Sequence, residues 1–327
     1  MAMNWIQFQH GMSLAEFAAS FGTEEQCAEA LRRARWPDGF RCPRCGGAAH
    51  YVVGQGGRRR YQCAACRHQA SLIAGTLLAN TKLPLTTWFL AMYLLSQAKT
   101  GLSALALKRQ LGVSYPTAWL VHHKIMQAMA ERDSTHRLEG TVQLDDAYLG
   151  GERSGGKVGR GSENKVPFVA AVSLDSNGHP TYLKLMPLPS FTLEAVGQWA
   201  RTALRPGCRV LSDGLGCFAA ISAAGCTHVP IVAGGRKPRD LPEFTWVNTV
   251  LGNLKRTLSG AFHAFKYAKY ARSYLGAFAY RFNRRFDLRG LLARLIVDAA
   301  GCSPRPQRLI RSKPALPVVR ENAEDHC

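Results

Sequence analysis

Three kinds of apolar spacing follow one another along the chain. Over residues 13–35, Leu14, Phe17, Phe21, Cys27, Ala30 and Leu31 recur at the spacing of a helix face, with a break at Gly22-Thr23-Glu24 where Thr23 suits the cap of a second helix. Residues 39–69 are rich in Cys, Arg, Gly and Tyr and poor in aliphatics, too poor to bury a core in about 30 residues. Something other than apolar burial must hold them. From 83 to 130 the helical spacing returns as the apolar block 88–95 and two amphipathic segments, 103–111 and 114–129. Beyond Glu139 the period falls to that of strands, predicted at 142–148, 167–174 and 181–186, with Asp175-Ser176-Asn177-Gly178 as the turn between the last two. A helix over 193–204, a strand over 209–212, a helix around 218–223 and a strand over 228–232 complete an α/β pattern with a mixed sheet. Residues 150–165, rich in Gly, Ser and basic side chains, read as a mobile loop. The stretch from Pro304, basic and then acidic at Glu321, Glu324 and Asp325, reads as a loose tail.

Composition adds a class and a partner. With 46% hydrophobic and 20% charged residues the chain is globular, and 327 residues suggest two domains with a small extra module. The block 88–95 is far short of the roughly 20 apolar residues of a membrane span, and the N-terminus has no apolar signal core. A soluble cytoplasmic protein without a membrane partner is expected. Lys and Arg number 42 against 22 Asp and Glu, and the resulting charge of +20 attracts polyanions, DNA first among them.

Of the 10 cysteines, four form two C-x2-C pairs, Cys42-Pro43-Arg44-Cys45 and Cys63-Ala64-Ala65-Cys66. Two knuckles of two thiolates joined by a hairpin suit one tetrahedral zinc, and four sulfur ligands leave no open position, so the metal is structural. Gly46-Gly47 and Gly54-Gln55-Gly56-Gly57 supply turns, while 51–53 and 60–62 supply strands. The segment reads as a zinc ribbon. His50 and His68 read as surface residues, Arg58-Arg59-Arg60 as either a phosphate contact or a solvated turn, and the six remaining cysteines carry no assigned role.

Residues 103–111, the turn Gly112-Val113 and residues 114–129 have the form of a helix-turn-helix, with Ser114 as N-cap and Pro116 tolerated in the first turn. Tyr115, Thr117, His122, His123 and Lys124 are then candidates to reach DNA, with His122 and His123 otherwise surface or packing histidines and not metal ligands, while Ala118, Leu120, Val121 and Ile125 supply packing. A plain helical hairpin is the alternative. In the α/β part, Asp145 and Asp146 lie in one strand pattern and Asp213 closes another, which makes them candidate oxygen donors for Mg2+ or, read alone, turn and capping residues. Strand alternation puts Asp145 and Asp146 on opposite faces, so one of them at most is expected to ligate.

Four stretches carry a resemblance: Gln143-Leu144-Asp145-Asp146-Ala147-Tyr148-Leu149-Gly150-Gly151, Ser212-Asp213-Gly214, the run from Trp246-Val247-Asn248 to Asn253-Leu254-Lys255-Arg256, and Tyr280-Arg281-Phe282-Asn283-Arg284-Arg285. In this order, and behind a zinc ribbon, they closely resemble the bacterial insertion-sequence 1595 family of transposases. The resemblance covers roughly residues 13–300. It implies a ribonuclease H-like catalytic domain with two aspartates and a third residue that is Glu or Asn, holding Mg2+ or Mn2+. Asp145 and Asp213 map to the aspartates, Asn248 to the third position with Asn253 as its rival, and Lys255 to the lysine seven residues beyond Asn248. Asp146 stands where a glutamate is common. The implied organisation is a helical lead-in (1–36), a zinc ribbon (37–72), a helical DNA-binding unit (73–135), a ribonuclease H-like domain (136–302) and a tail (303–327). The implied activity is binding of double-stranded DNA at the element's terminal inverted repeats, as a homo-oligomer in the nucleoid, followed by strand cleavage and transfer. Residues 281–285 grip phosphates or form a solvated helix face. A transposase-derived regulator without catalytic activity is the competing reading, and an RNA-binding zinc-ribbon protein the weaker third.

Overall fold

In the computed structural model, which describes residues 5–55, 59–150, 165–232, 234–237, 240–262 and 265–312, the chain divides into two units, 5–129 with Arg284–Ser312 and Ala130–Asn283. The first unit starts with α1 (Trp5–Phe8), α2 (Leu14–Phe21) and α3 (Glu24–Arg35). Ser13 and Thr23 open α2 and α3 as capping boxes, each hydroxyl accepting the amide three residues on while Glu16 or Gln26 answers the cap amide. The expected break and cap are therefore both present.

Helix α4 (Leu85–Gln97) has no side-chain cap of its own behind Pro84. Glu24 supplies one from α3, its carboxylate accepting from the amides of Leu85 (3.1 Å) and Thr86 (2.8 Å). Trp88, Phe89, Ala91, Met92 and Leu95 are all buried, so α4 is enclosed on several sides. Phe17 stacks on Tyr93 at 4.6 Å and Phe21 meets Phe89 at 5.4 Å. Helices α5 (Ala104–Leu111) and α6 (Tyr115–Arg132) follow, joined across Gly112, whose φ of +66° ends α5 in the left-handed region.

The ribbon is a three-stranded antiparallel sheet of β1 (His50–Val53), β2 (Arg60–Cys63) and β3 (Gln69–Ser71), with β2 central. Gly56, Gly57 and Arg58 lie outside the described residues. Helix α10 (Leu291–Gly301) buries Leu291, Leu292, Leu295, Ile296 and Ala299 and packs on α3 and α4. Residues 284–302, joined to the catalytic part in the sequence reading, thus cluster with the first unit, because this apolar stripe has its complement on the N-terminal helices. The expected loose tail also begins later than Pro304: Gln307–Arg311 form α11, with Arg311 over the Trp119 ring at 5.2 Å. Glu321, Glu324 and Asp325 fall outside the described residues, as do 151–164 of the expected mobile loop.

The second unit is built on a five-stranded sheet of β4 (Thr141–Leu149), β5 (Val166–Leu174), β6 (Pro180–Pro187), β7 (Arg209–Ser212) and β8 (Thr227–Pro230), in the order β6-β5-β4-β7-β8. The first three run antiparallel, and β7 and β8 join β4 in parallel, so the sheet is mixed as expected. Asp175 closes the β5–β6 turn by accepting from Asn177 (2.9 Å) and His179 (2.8 Å). Two cores lie on the two faces. One packs Val142, Leu144, Val169, Ala171 and Val210 under α7 (Leu193–Ala203) and the 3-10 helix Gly216–Ala224. The other packs Leu149, Phe168, Ala170 and Val172 under α8 (Thr245–Thr257) and α9 (Tyr267–Asn283). The period of two along β4 therefore sends odd-numbered positions to the α8 face and even-numbered ones to the α7 face.

A candidate active site and a four-cysteine cluster

Cys42, Cys45, Cys63 and Cys66 bring one sulfur each within 4.8 Å of the others. Within that cluster Cys42 and Cys66, and Cys45 and Cys63, are 3.6 Å apart. Both knuckles are closed alike: the Cys42 amide donates to Gly47 O and the Gly46 amide returns to Cys42 O, while the Cys63 amide donates to His68 O and the Arg67 amide returns to Cys63 O. The amides of Cys66 and Ala65 draw the Cys63 thiol down to about 7, which favours the thiolate that a metal takes. Four sulfurs in this arrangement fit a closed, structural zinc site. His50 and His68 stand outside the cluster, as expected.

The carboxylates form the second cluster among the described residues: Asp145, Asp146 and Asp213 each offer an oxygen within 4.8 Å of the other two. Pairing of β4 with β7 ends at Gln143 with Leu211, and two further steps in that register bring Asp213 level with Asp145 on the same face. Asp146 lies on the opposite face by alternation, yet its carboxylate reaches the same cluster. The β4–β7 pairing covers Thr141 to Gln143, and β7 itself stops at Ser212. Only hard oxygen donors are gathered here, a set that fits Mg2+ or Mn2+ and not zinc held by sulfur.

Asp213 is held by local bonds. Ser212 Oγ lies 2.8 Å from His228 Nε2 on β8 and also accepts from the Gly214 amide at 3.4 Å. Asp213 Oδ1 accepts from the Leu215 amide at 3.1 Å, and Gly214 takes a φ of +82° that only glycine adopts without strain. Burial lowers the His228 imidazole and so favours its neutral form as a partner for Ser212.

Asn248 and Lys255 lie on α8, over the face that carries Asp145. Val247, Val250, Leu254 and Thr257 form its buried stripe; Asn248 is half-buried beside it and Lys255 exposed. Asn253 is exposed, and its Oδ1 accepts from Arg256 Nη2 at 3.2 Å. Sequence reasoning missed Gln143. Its side chain, 2% exposed, accepts from the amides of Trp246 (2.9 Å) and Val247 (3.0 Å). A polar residue between the apolar Val142 and Leu144 was the available signal.

Several expected DNA contacts are placed otherwise. His122, His123 and Lys124 are 1%, 2% and 7% exposed, because α6 is enclosed on most sides from Val121 to Met126 and not along the single stripe that its periodicity indicates. Lys124 donates to Leu77 O and sits 5.7 Å over the Trp88 ring. Tyr115 stays exposed, and Ala118, Val121 and Ile125 pack as expected. At the end of α9, burial pulls the Arg281 guanidinium down to about 10, so a freely solvated face does not describe it. Asn283 bonds both to the amide (2.7 Å) and to the carbonyl (3.1 Å) of Leu183, closing the open edge of β6, and donates to Asp133 Oδ2 at 2.9 Å.

Comparison with known proteins agrees with this division. Residues 22–69 match the family described as transposase zinc-ribbon domain, and residues 137–283 match the ISXO2-like transposase domain of the insertion-sequence 1595 group. An uncharacterised protein in transposable element ISH50 of Halobacterium salinarum is 29% identical over 187 residues, so the similarity is not confined to bacterial elements. That match spans 56% of this chain and 58% of the relative's length. A crystal structure of a pre-cleavage Mos1 transpososome aligns with 60% of this chain and 74% of its own at 11% identity and a TM-score of 0.25, a likeness too slight to bear on the fold. No helix among the described residues is long and apolar enough to cross a membrane. The two matched regions coincide with the four-cysteine cluster and with the domain that gathers the three aspartates, and both are similar to transposase domains.

Proposed function

We propose that the chain is a transposase that binds the terminal inverted repeats of its insertion sequence in double-stranded DNA and, with Mg2+ or Mn2+, cleaves and transfers DNA strands. The observation that carries this reading is the convergence of Asp145 on β4 with Asp213, one residue past the end of the neighbouring parallel strand β7, in a domain whose helix α8 bears Asn248 and Lys255. The mixed sheet, three antiparallel strands followed by two parallel ones, supports the ribonuclease H-like domain that the resemblance implies. Asp145, Asp213 and Asn248 would hold the cation, with Asp146 close enough to assist. When bound, the cation supplies charge neutralisation at the scissile phosphate and activation of the attacking oxygen. Lys255, exposed on the Asn248 flank of α8, would meet a phosphate of the bound strand. The partly buried Arg281 offers a desolvated positive charge to the same polyanion. The zinc ribbon and helices α5 and α6 would recognise the repeats, on a homo-oligomer that pairs two element ends.

The test is an end-cleavage assay with the full-length protein and DNA carrying an element end. Strand cutting at the element boundary should require Mg2+ or Mn2+ and vanish in Asp145→Asn and Asp213→Asn, while both variants still bind. A footprint of about 6–10 phosphates should weaken binding by roughly 10³–10⁵ between about 50 and 200 mM salt. Binding without cutting by the unaltered protein would favour the regulator reading instead.

A further inference from the structure

We infer that Gln143 is a positioning residue of the proposed active site: it caps the helix that bears Asn248 and thereby fixes that helix against the strand that bears Asp145. This inference rests on the reading of the site given above. A buried amide side chain is costly unless it is hydrogen-bonded, and Gln143 lies between the fully buried Val142 and Leu144 at 2% exposure. Its Oε1 accepts from the amides of Trp246 (2.9 Å) and Val247 (3.0 Å), which belong to the first turn of α8. Those amides have no intrahelical acceptor, and an N-cap side chain ordinarily takes one of them. The residue at the cap position, Phe244, makes no such bond, so β4 supplies the cap from a sequence distance of more than 100 residues.

The geometric consequence reaches both proposed ligands. Gln143 and Asp145 are two residues apart on one strand, hence on one face and about 7 Å apart along it. Asn248 follows directly on Val247, the second amide that Gln143 takes. One carbonyl oxygen thus links the placement of Asp145 to that of Asn248. Trp246 holds the same turn from its other side, its Nε1 donating to Gly178 O at 2.7 Å. Packing of Val247, Val250 and Leu254 keeps α8 on the sheet, but apolar contact is non-directional and leaves its position along the axis loosely defined.

Three full-length variants test this. Gln143→Met keeps the length and burial and removes the acceptor; Gln143→Glu keeps an acceptor oxygen and adds a charge that suits a helix N-terminus; Val250→Ala loosens the packing of α8 without touching its cap. Amide hydrogen exchange at Trp246 and Val247, Mn2+ uptake followed by electron paramagnetic resonance, and cleavage at saturating DNA are the measurements. In Gln143→Met both amides should exchange faster, Mn2+ should bind about 10- to 100-fold more weakly, as when a residue that orients a metal ligand is lost, and cleavage should fall roughly 10²-fold. DNA affinity should not change. Gln143→Glu should restore both Mn2+ uptake and cleavage to within about threefold of the unaltered protein, and Val250→Ala should keep both despite lower thermal stability. Mn2+ uptake and cleavage in Gln143→Met equal to those of the unaltered protein, or an equal loss in Val250→Ala, would overturn the positioning role alone. An unaltered protein that neither takes up Mn2+ nor cuts would overturn the reading of the site, and this inference with it.

Discussion

Gly46 and Arg67 occupy the same place in the two cysteine knuckles, each in the left-handed region, with φ of +75° and +61°. Each returns its amide to the carbonyl of the first cysteine of its pair, at 2.9 Å for Gly46 and 3.0 Å for Arg67. The turn demands that conformation whatever the side chain, and only the first knuckle meets the demand with glycine.

Arg67→Gly should therefore stabilise the ribbon. A non-glycine residue in this region costs roughly 1–2 kcal/mol, and the greater freedom of glycine in the unfolded chain offsets about 0.5–1 kcal/mol of the relief. A net gain of up to about 1.5 kcal/mol is expected, read as resistance to zinc release by a chelator. Gly46→Ala should move the same measurement the other way. Equal zinc retention in the two variants would contradict this.

The zinc itself should be present at about one per chain, held by Cys42, Cys45, Cys63 and Cys66. Because residues 39–69 have too little apolar content to fold unaided, Cys63→Ser should lose the metal and unfold β1 to β3 together. Atomic absorption on undenatured protein and near-ultraviolet circular dichroism are the checks. A ribbon that keeps its structure without zinc would exclude this account.

Much of this was legible in the sequence, and the reasons are local. Thr23 with Gln26, and Asp175 with Asn177, satisfy their neighbours within a few residues, so their elements could be read from the chain order. The two C-x2-C pairs carry their own geometry. What could not be read depends on residues far apart. Nothing near Gln143 reveals that its partners are the amides of Trp246 and Val247. Alternation along β4 alone does not reveal that the Asp146 carboxylate comes within 4.8 Å of those of Asp145 and Asp213. Likewise the burial of His122, His123 and Lys124 follows from what surrounds α6, which its own periodicity does not contain.

His123 gives that burial a pH dependence. Desolvation lowers its imidazole from 6.5 to about 4, so between these values the folded chain leaves the ring neutral while the unfolded chain protonates it. The unfolded state then holds more protons, and stability falls as pH drops from 6.5 towards 4, by roughly 3 kcal/mol for this group when complete. His123→Phe keeps an aromatic ring beside Trp119, 4.1 Å away, and removes the titration. The stability of the variant relative to the unaltered protein, from urea unfolding, should therefore rise between pH 6.5 and pH 4; zinc loss in acid is common to both chains and cancels. Parallel pH profiles would show that the ring is protonated without cost.

Their places on α8 separate Asn248 from Asn253. The buried stripe of α8 contains Val247 and Leu254, and Asn248 and Lys255 each come one residue later, so both lie on the same flank of the helix. Seven residues are about two turns, which leaves the two side chains within roughly 20° of each other. Asn253 is turned about 140° from Asn248, and it is exposed and bonded to Arg256 on its own helix. The flank of Asn248, half-buried beside the stripe that packs on the Asp145 face, is therefore the one proposed to carry the amide. Asn248→Ala should abolish Mg2+-dependent strand cleavage while leaving affinity for element-end DNA within about twofold, the pattern of an interaction made in the transition state. Asn253→Ala should retain most of the cleavage, and Lys255→Ala should weaken binding and cutting together, because a phosphate contact acts on both. If Asn253→Ala were the inactive variant and Asn248→Ala the active one, the third position would have to move to Asn253, and α8 would have to turn by more than a third of a revolution to bring it over Asp145.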